Sequence, residues 1–511
     1  MNPATHLLND IAAFSRILIG VPLYPYQVES LRAVIDSVLN RRGREFLLVF
    51  PRQSGKNEAV AHLLVYLLTV FQRHGGQIVY GAVGDGLGRG MRRLEERLDT
   101  PWTRGRWRRS SHPRRCALGR ASVVFISSHP GAAARGETAD HLLILDEAQD
   151  HDAAHVEAVF TPMRAARHAT ALYLGTVRTT SDFLWAKKTE LVTAEALDGV
   201  RRVFLVRPEQ VTAANPDYAA FLAEQVRRHG RRHPIVAAEY FLEPLDGSGG
   251  LFPPWRLALM RGDHPRQRGP RPGELYVAAI DPAGGDPAAA EPGAPLHNPG
   301  RDFTVATLFR VIESAVAGPV YEALDVFTDQ GSRHFQSAPG QTALAERLLA
   351  WLRHWDAAHV IIDAAGVGQG LADWLAERYG RGRVTPFPIG SAAVKARLGS
   401  DFLALIDTGR FRYWAGDGEQ PLSDGWWFWQ QVESCAYTLG PAGRFDHDLR
   451  WAVPDSARAD TPLGPQAVHD DRLLSAALVA EIERRRAGGR LHLGQGLSRI
   501  IGQRDELESW K

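Results

Sequence analysis

The stretch Leu47-Leu48-Val49-Phe50-Pro51-Arg52-Gln53-Ser54-Gly55-Lys56-Asn57-Glu58 constrains this chain more than any other. An apolar run of strand character ends at a proline. A short polar loop with Gly55 and Lys56 follows, and a helical pattern opens at Ala59. Strand, loop, helix is the setting in which backbone N–H groups at a helix start can cradle a phosphate and a lysine can reach the β and γ oxygens. The strict form of such a loop has glycine where this chain has Phe50, and Ser or Thr where it has Asn57. Alone, the stretch is equally an ordinary strand-to-helix turn.

A partner for it lies downstream. Leu142-Leu143-Ile144-Leu145 runs into Asp146-Glu147-Ala148-Gln149, two adjacent carboxylates at a strand's C-terminal end, where open α/β sheets bind ligands. Asp146 is the candidate to hold a magnesium ion and Glu147 to activate a water against a γ-phosphate. Ala171–Thr176 reads as a further strand, with Thr176 placed to sense that phosphate. Arg52 and Arg135 are the arginines that could stabilise leaving charge. Gln27, after Tyr26 and shortly before the loop, could pair with adenine through both faces of its amide. Gln53 and Ser54 complete the loop.

The recurring strand–turn–helix order implies a mainly parallel α/β sheet. It runs out near Leu245, and residues 246–273, rich in Pro, Gly and Arg, read as a linker. At 511 residues two domains are the default, here 1–245 and 274–490, with a charged tail at 491–511.

In the second half, Leu275–Ile280 is an apolar strand closing on Asp281, and Arg301–Phe309 returns as its hairpin partner, with Asp302 near the turn. His359–Ile362 closes on Asp363, and His469-Asp470-Asp471 opens a helix. Carboxylates from such distant segments, if brought to one point, repel one another unless cations lie between them. Two Mg²⁺ or Mn²⁺ ions would suit phosphodiester hydrolysis, with either Asp470 or Asp471 facing them. The bland alternative is a set of surface aspartates at element ends. Trp426-Trp427-Phe428-Trp429 reads first as core packing.

Composition narrows the class. A hydrophobic share of 44% and a charged share of 23% describe a globular chain, and the net charge of +2 does not by itself announce nucleic acid. Six arginines between Arg104 and Arg115, with no acidic residue among them, could form a phosphate-binding loop. Lys395, Arg397, Arg410, Arg412 and Arg444 could meet a DNA backbone. Cys116 and Cys435 have no metal-ligand spacing and suggest a reducing compartment. No segment has the ~18 consecutive apolar residues of a membrane span.

These motifs, in this order, resemble the large subunit of the tailed-phage terminase, over roughly Tyr24 to Ile482. The resemblance implies an ASCE-type P-loop ATPase domain followed by an RNase H-like nuclease domain. It maps Gln27 to the adenine reader, Arg52–Lys56 to the nucleotide loop, Asp146-Glu147 to the magnesium and catalytic pair, and Gly175-Thr176 to the coupling motif. Asp281 with Asp302, Asp363, and Asp470-Asp471 map to three nuclease motifs. Asn57 departs from the family's Thr or Ser, and the 20 residues between Asp281 and Asp302 read as an insertion. The implied function is ATP-driven translocation of double-stranded viral DNA into a procapsid, with metal-dependent cutting of concatemers. The implied cofactors are ATP with Mg²⁺ in the first domain and two Mg²⁺ or Mn²⁺ in the second. Duplex DNA, a small terminase subunit, the portal and a homo-oligomeric ring are the implied partners, in the host bacterial cytoplasm and without a membrane. The alternatives are a helicase-like translocase whose second domain only binds DNA, and a non-catalytic assembly adaptor.

Overall fold

Four apolar residues in a row at Phe46–Val49, buried on both faces, set the centre of the first unit, because only a strand covered from both sides can carry such a run. The structure, a computed structural model, describes residues 10–131, 136–284, 302–314, 318–337, 342–418, 420–440 and 444–493. Arg135, most of the 282–300 loop and the tail from 494 onward lie outside them. The chain divides into two compact units, Met1–Glu224 with Pro234–Gly247, and Gln225–His233 with Ser248–Lys511. Among the described residues no helix is long and apolar enough to cross a membrane.

The first unit is built on eight strands: β1 (Glu45–Val49), β2 (Gly76–Ala82), β3 (Trp107–Ser111), β4 (Arg114–Leu118), β5 (Ala121–Ser127), β6 (Leu142–Asp146), β7 (Thr170–Gly175) and β8 (Val203–Leu205). Their order is β3-β4-β5-β2-β6-β7-β1-β8, parallel from β5 to β8 and antiparallel at the β3/β4/β5 edge. Four of the six arginines, Arg108, Arg109, Arg114 and Arg115, are therefore on a β-hairpin at the sheet edge, with Arg104 and Arg106 in the turn before it. Its arginines alternate between faces, and Arg104 and Arg109 pair with Asp99 and Glu95. Two consequences follow from the order. β7 lies between the strand that feeds the Gly55-Lys56 loop and the strand that ends in Asp146, and all three end on the same edge of the sheet. The core under that edge combines Leu47, Val49, Leu143, Leu145 and Tyr173 with Phe160 and Leu184.

The second unit has a seven-stranded sheet, β10-β16-β13-β12-β11-β14-β15. Its strands, with the small sheets beside it, are β9 (Ser248–Gly250), β10 (Arg261–Pro265), β11 (Leu275–Asp281), β12 (Thr304–Ile312), β13 (Val320–Asp329), β14 (His359–Asp363), β15 (Val384–Phe387), β16 (Phe411–Ala415), β17 (Ala436–Leu439), β18 (Leu449–Ala452), β19 (Arg458–Thr461) and β20 (Gly464–Ala467). β11, β12 and β13 form an antiparallel meander, and β14 joins β11 in parallel. Residues 246–273, expected as a linker, carry β9, the helix Pro254–Met260 and β10. Their Pro and Gly content conceals an anchor in which Arg256 forms a buried pair with Asp407. One face of the sheet packs Ala278 and Ile280 against Leu348, Leu352, Trp355 and Leu371. On the helix Asp424–Ser434, Phe428 and Trp429 are buried while Trp426 and Trp427 remain partly open, so core packing accounts for half of that aromatic run.

Two histidines in this unit are held neutral. Burial pushes His233, whose Nε2–H donates to the Ser400 carbonyl, down to about 3. Burial also pushes His359 down to about 4, with Arg485 adding to the effect. In the unfolded chain both bind a proton near pH 6.5, so stability is complete above that pH and is lost as pH falls towards these values. Thermal unfolding followed against pH is expected to show about 2 kcal/mol lost per histidine at pH 5. His359→Gln is expected to flatten that slope.

Candidate functional sites

Gly55 opens the helix Lys56–Phe71 with φ +89, a left-handed conformation that glycine adopts without strain. A Cβ there would also sit 2.7 Å from Gln27 Nε2. The Gln27 amide donates to the Gly55 carbonyl at 3.0 Å and accepts from the Tyr24 N–H at 2.8 Å. Both ends of the group expected to read adenine are thus engaged, one on the loop and the other at the start of its own helix. Ser54 Oγ donates to the Pro51 carbonyl, Tyr26 holds the Ser54 carbonyl from outside, and Gln53 adopts a positive φ. Arg52 pairs through side chain and backbone with Glu239.

Lys56 lies between the two carboxylates, 2.8 Å from Glu147 Oε2 and 3.4 Å from Asp146 Oδ1. Burial opposes its charge, but Asp146 and Glu147 more than offset this and raise its pKa. Burial likewise works against the Glu147 anion, yet Lys56, Gln149 and Arg178 bring its pKa down to about 2. Glu147 is held at φ 52, a conformation uncommon outside glycine and typical of functional turns. Asp146 accepts from Tyr80 Oη at 2.6 Å and from the Glu147 N–H.

A relay runs from Glu147 to β7. Gln149 donates to Glu147 at 2.9 Å and accepts from the Thr176 N–H, and Thr176 Oγ1 donates to the Phe50 carbonyl at the head of the loop. Tyr80, Gln149, and Arg178 with its partner Asp150 are contributors that the motifs did not single out. Tyr80 carries no local signal, whereas Gln149 stood in the quoted run without a role. Asn57 Oδ1 is buried and has no hydrogen-bond partner, an orphaned oxygen where a magnesium ligand is expected.

In the second unit β11 and β14 are parallel with Ile280 opposite Ile362, so Asp281 and Asp363 come next on adjacent strands and share a face. The helix Asp471–Ala477 docks on β11 and β12 through Ser475, whose Oγ donates to the Ala279 carbonyl and meets the Thr307 hydroxyl. Burial first, then the charges of Asp471, Asp470 and Asp363, push the Asp281 carboxyl well above its usual range, with Lys395 opposing. Part of Asp281 remains open to solvent, so the neighbouring charges are the component that a cation would relieve.

Asp363 Oδ1 accepts from the Ala365 and Ile389 N–H groups. Asp471 accepts from Gln431 at 2.6 Å, the Arg472 N–H at 2.8 Å and the Phe303 N–H at 2.9 Å. Asp470 meets Lys395 at 3.3 Å. Asp302 is mostly exposed and pairs with His469 at 2.9 Å. Among the described residues no three His, Cys, Asp or Glu groups are gathered at ligating spacing, so an ion would have to draw these carboxylates inward. The donor set, all carboxylate oxygen, suits Mg²⁺ or Mn²⁺. Gln431, forty residues from Asp471, and the lysine facing Asp470 are partners that spacing could not reveal. Arg410, expected on a DNA-facing surface, is buried against Glu483.

No sequence-family model matches the chain, and no curated protein does. Solved structures resemble it more distantly. The large terminase of a thermophilic bacteriophage aligns over 90% of this chain and 99% of its own at 10% identity and a TM-score of 0.46. The HK97 bacteriophage large terminase aligns over 94% and 100% at 15% identity and 0.38. The magnesium-bound large terminase nuclease of thermophilic phage G20c aligns over 45% and 96% at 16% identity and 0.31. All three scores lie below 0.5, so function has to be read from this chain's own side chains.

Gly175 gives one such reading. A Cβ there would fall 2.0 Å from Leu184 Cδ1 and 2.4 Å from Gln149 Oε1. Gly175→Ala is expected to destabilise the first unit by about 1–3 kcal/mol, read as a lowered unfolding midpoint.

Proposed function

We propose that the chain is an ATP-driven DNA translocase that also cuts DNA, as the large terminase subunit does. The observation that carries the first half is the buried Lys56 between Asp146 and Glu147, behind a strand–loop–helix turn. Nucleoside triphosphate phosphates entering that turn would draw the Lys56 ammonium to their oxygens and free Glu147. An ionised Glu147 can then take the proton of the attacking water. Asp146 and Asn57 are the residues to hold Mg²⁺, which supplies charge neutralisation at the phosphates. Gln149 and Thr176 would carry the change at Glu147 into β7 and back to Phe50. Arg52 and Arg178 are the candidates for stabilising leaving charge, and Arg52 would have to leave Glu239 to do so.

The second half rests on Asp281 and Asp363 ending adjacent parallel strands, with the charges of Asp470 and Asp471 acting on the same Asp281 carboxyl. Asp281, Asp363, and Asp470 or Asp471 would hold one or two Mg²⁺ or Mn²⁺ ions, which supply Lewis-acid activation of water and of a phosphodiester. Hydrogen bonds from Ala365, Ile389, Gln431 and Phe303 fix the carboxylates that must face the scissile phosphate. Asp302, turned to His469, acts on the cluster from its edge. Duplex DNA, gripped at phosphates without base reading, is the substrate, and a small terminase subunit, a portal and a ring of like chains on a procapsid are the partners this reading entails. A translocase whose second unit only holds DNA is the second reading, favoured by the open spacing of the carboxylates.

Glu147→Gln is expected to abolish steady-state ATP hydrolysis, by at least about 100-fold, while nucleotide binding persists. Retained turnover in a phosphate-release assay would remove Glu147 from that role. Asp363→Ala is expected to abolish plasmid cleavage in Mn²⁺ with ATP hydrolysis intact. If the unaltered chain leaves plasmid uncut across salt and both metals, the second reading replaces the first.

A further inference from the structure

Beside Asp471 lies a cavity of about 410 Å³, within the size range of small-molecule sites. Its walls include Phe303, Trp427, Gln466, His469 and Arg472. Trp427 belongs to the half of its aromatic run that the core leaves partly open, and Trp426 meets it edge to face at 4.8 Å. Gln466 lies on β20 of the two-stranded β19/β20 hairpin.

Arg472 is the second observation. Its side chain is only 7% exposed, and its Nε has no hydrogen-bond partner although the other two nitrogens face Asp424 at 3.2 Å and Asp471 at 3.6 Å. The guanidinium also lies 5.1 Å from the Phe303 ring centroid. That Nε is itself closed off from solvent, so an occupant of the cavity would reach it only if the Arg472 side chain turned.

We propose that this cavity receives one unpaired nucleobase of the DNA strand presented to the Asp281–Asp363–Asp471 carboxylates, an inference that rests on the nuclease reading above. Flat rings offer a stacking surface that tolerates any base, and an amide with a guanidinium offers donors to a base edge. The charge pattern selects the base over the backbone. Arg472 and His469, the basic groups in the wall, already face Asp424, Asp471 and Asp302, so a phosphate entering here would meet the Asp471 carboxylate with those groups engaged, whereas a neutral base carries no charge to be repelled. A paired base has its edge already engaged and its faces stacked, so the occupant has to be out of the duplex. Cutting would accordingly favour sites where a mismatch, a strand end or strand opening frees a base next to the scissile phosphate.

Photo-crosslinking of the full chain tests this without requiring cleavage. Two duplexes carry one 5-iodouracil, paired in one and mismatched in the other, and are bound in EDTA before irradiation and peptide mapping. The expected result is an adduct on Trp427 or Phe303, about tenfold stronger for the mismatched duplex. Gln466→Ala should lower that yield several-fold, and Trp427→Phe should retain the Phe303 adduct. Thermal unfolding of each variant controls for folding, with the hairpin substitution the safer of the two. Adducts that map elsewhere, or equal yields from both duplexes, overturn the proposal. Cleavage that depends on Asp363 but leaves no cavity adduct would retain the nuclease reading and discard the base pocket. A cavity adduct from a chain that never cuts would overturn the nuclease reading and, with it, the placing of the base beside a scissile phosphate.

Discussion

A single buried ammonium organises the first unit. Lys56 comes from the helix that follows β1, while Asp146 and Glu147 end β6, so their ion pairs tie two strands across the intervening β7. Removing the lysine would leave two carboxylates close together with little water around Asp146, an arrangement proteins do not tolerate unpaired. Packing by Leu184 and Gln149 explains why a glycine is needed at 175. The strand between must end in a residue small enough for Gln149 to cross from Glu147 to Thr176. The lysine's contact gives the left-handed turn at Glu147 a reason, since an extended residue would carry the carboxylate away from Lys56.

The second unit meets the same electrostatic problem with less cation. Three aspartates act there on a fourth, Asp281, and Lys395, at 3.3 Å from Asp470, opposes them. Hydrogen bonds from backbone N–H groups and from Gln431 stabilise the anions of Asp363 and Asp471, but they add no positive charge. The two sites therefore differ in kind. The first is balanced internally, with the Lys56 ammonium set against two carboxylates. The second is short of positive charge, and drawing in a cation would relieve the strain that Asp281 records.

What could be read from the sequence was whatever a few consecutive residues decide. Strand runs ending in Asp146, Asp281 and Asp363 were legible because four apolar residues and a carboxylate are a local signal. The helix after Asp470-Asp471 was legible from its 3.6-residue spacing. Contacts between distant segments were not. Tyr80 reaches Asp146 across 66 residues, and nothing near it marks the role. Gln27 lies beside the loop, but the partner of its amide, Gly55, depends on how the preceding helix packs. Arginine density at 104–115 hid alternation along two short strands, and proline with glycine at 248–265 hid elements that only tertiary pairing stabilises.

The adjacent pair Asp470-Asp471 shows most clearly why such detail escapes a linear reading. Two neighbouring aspartates at a helix start are chemically alike, yet one is held by three protein donors and the other by one lysine. A carboxylate with three donors is fixed in direction and keeps lone pairs in reserve, since each oxygen can accept more than one bond. A carboxylate facing a flexible ammonium can exchange that partner at little cost. An ion entering the cluster would thus find Asp471 already aimed and Asp470 free to move, and Lys395 would be the group displaced. That division of labour follows from Gln431 and Phe303, which are far from both aspartates in sequence and adjacent to one of them in the fold.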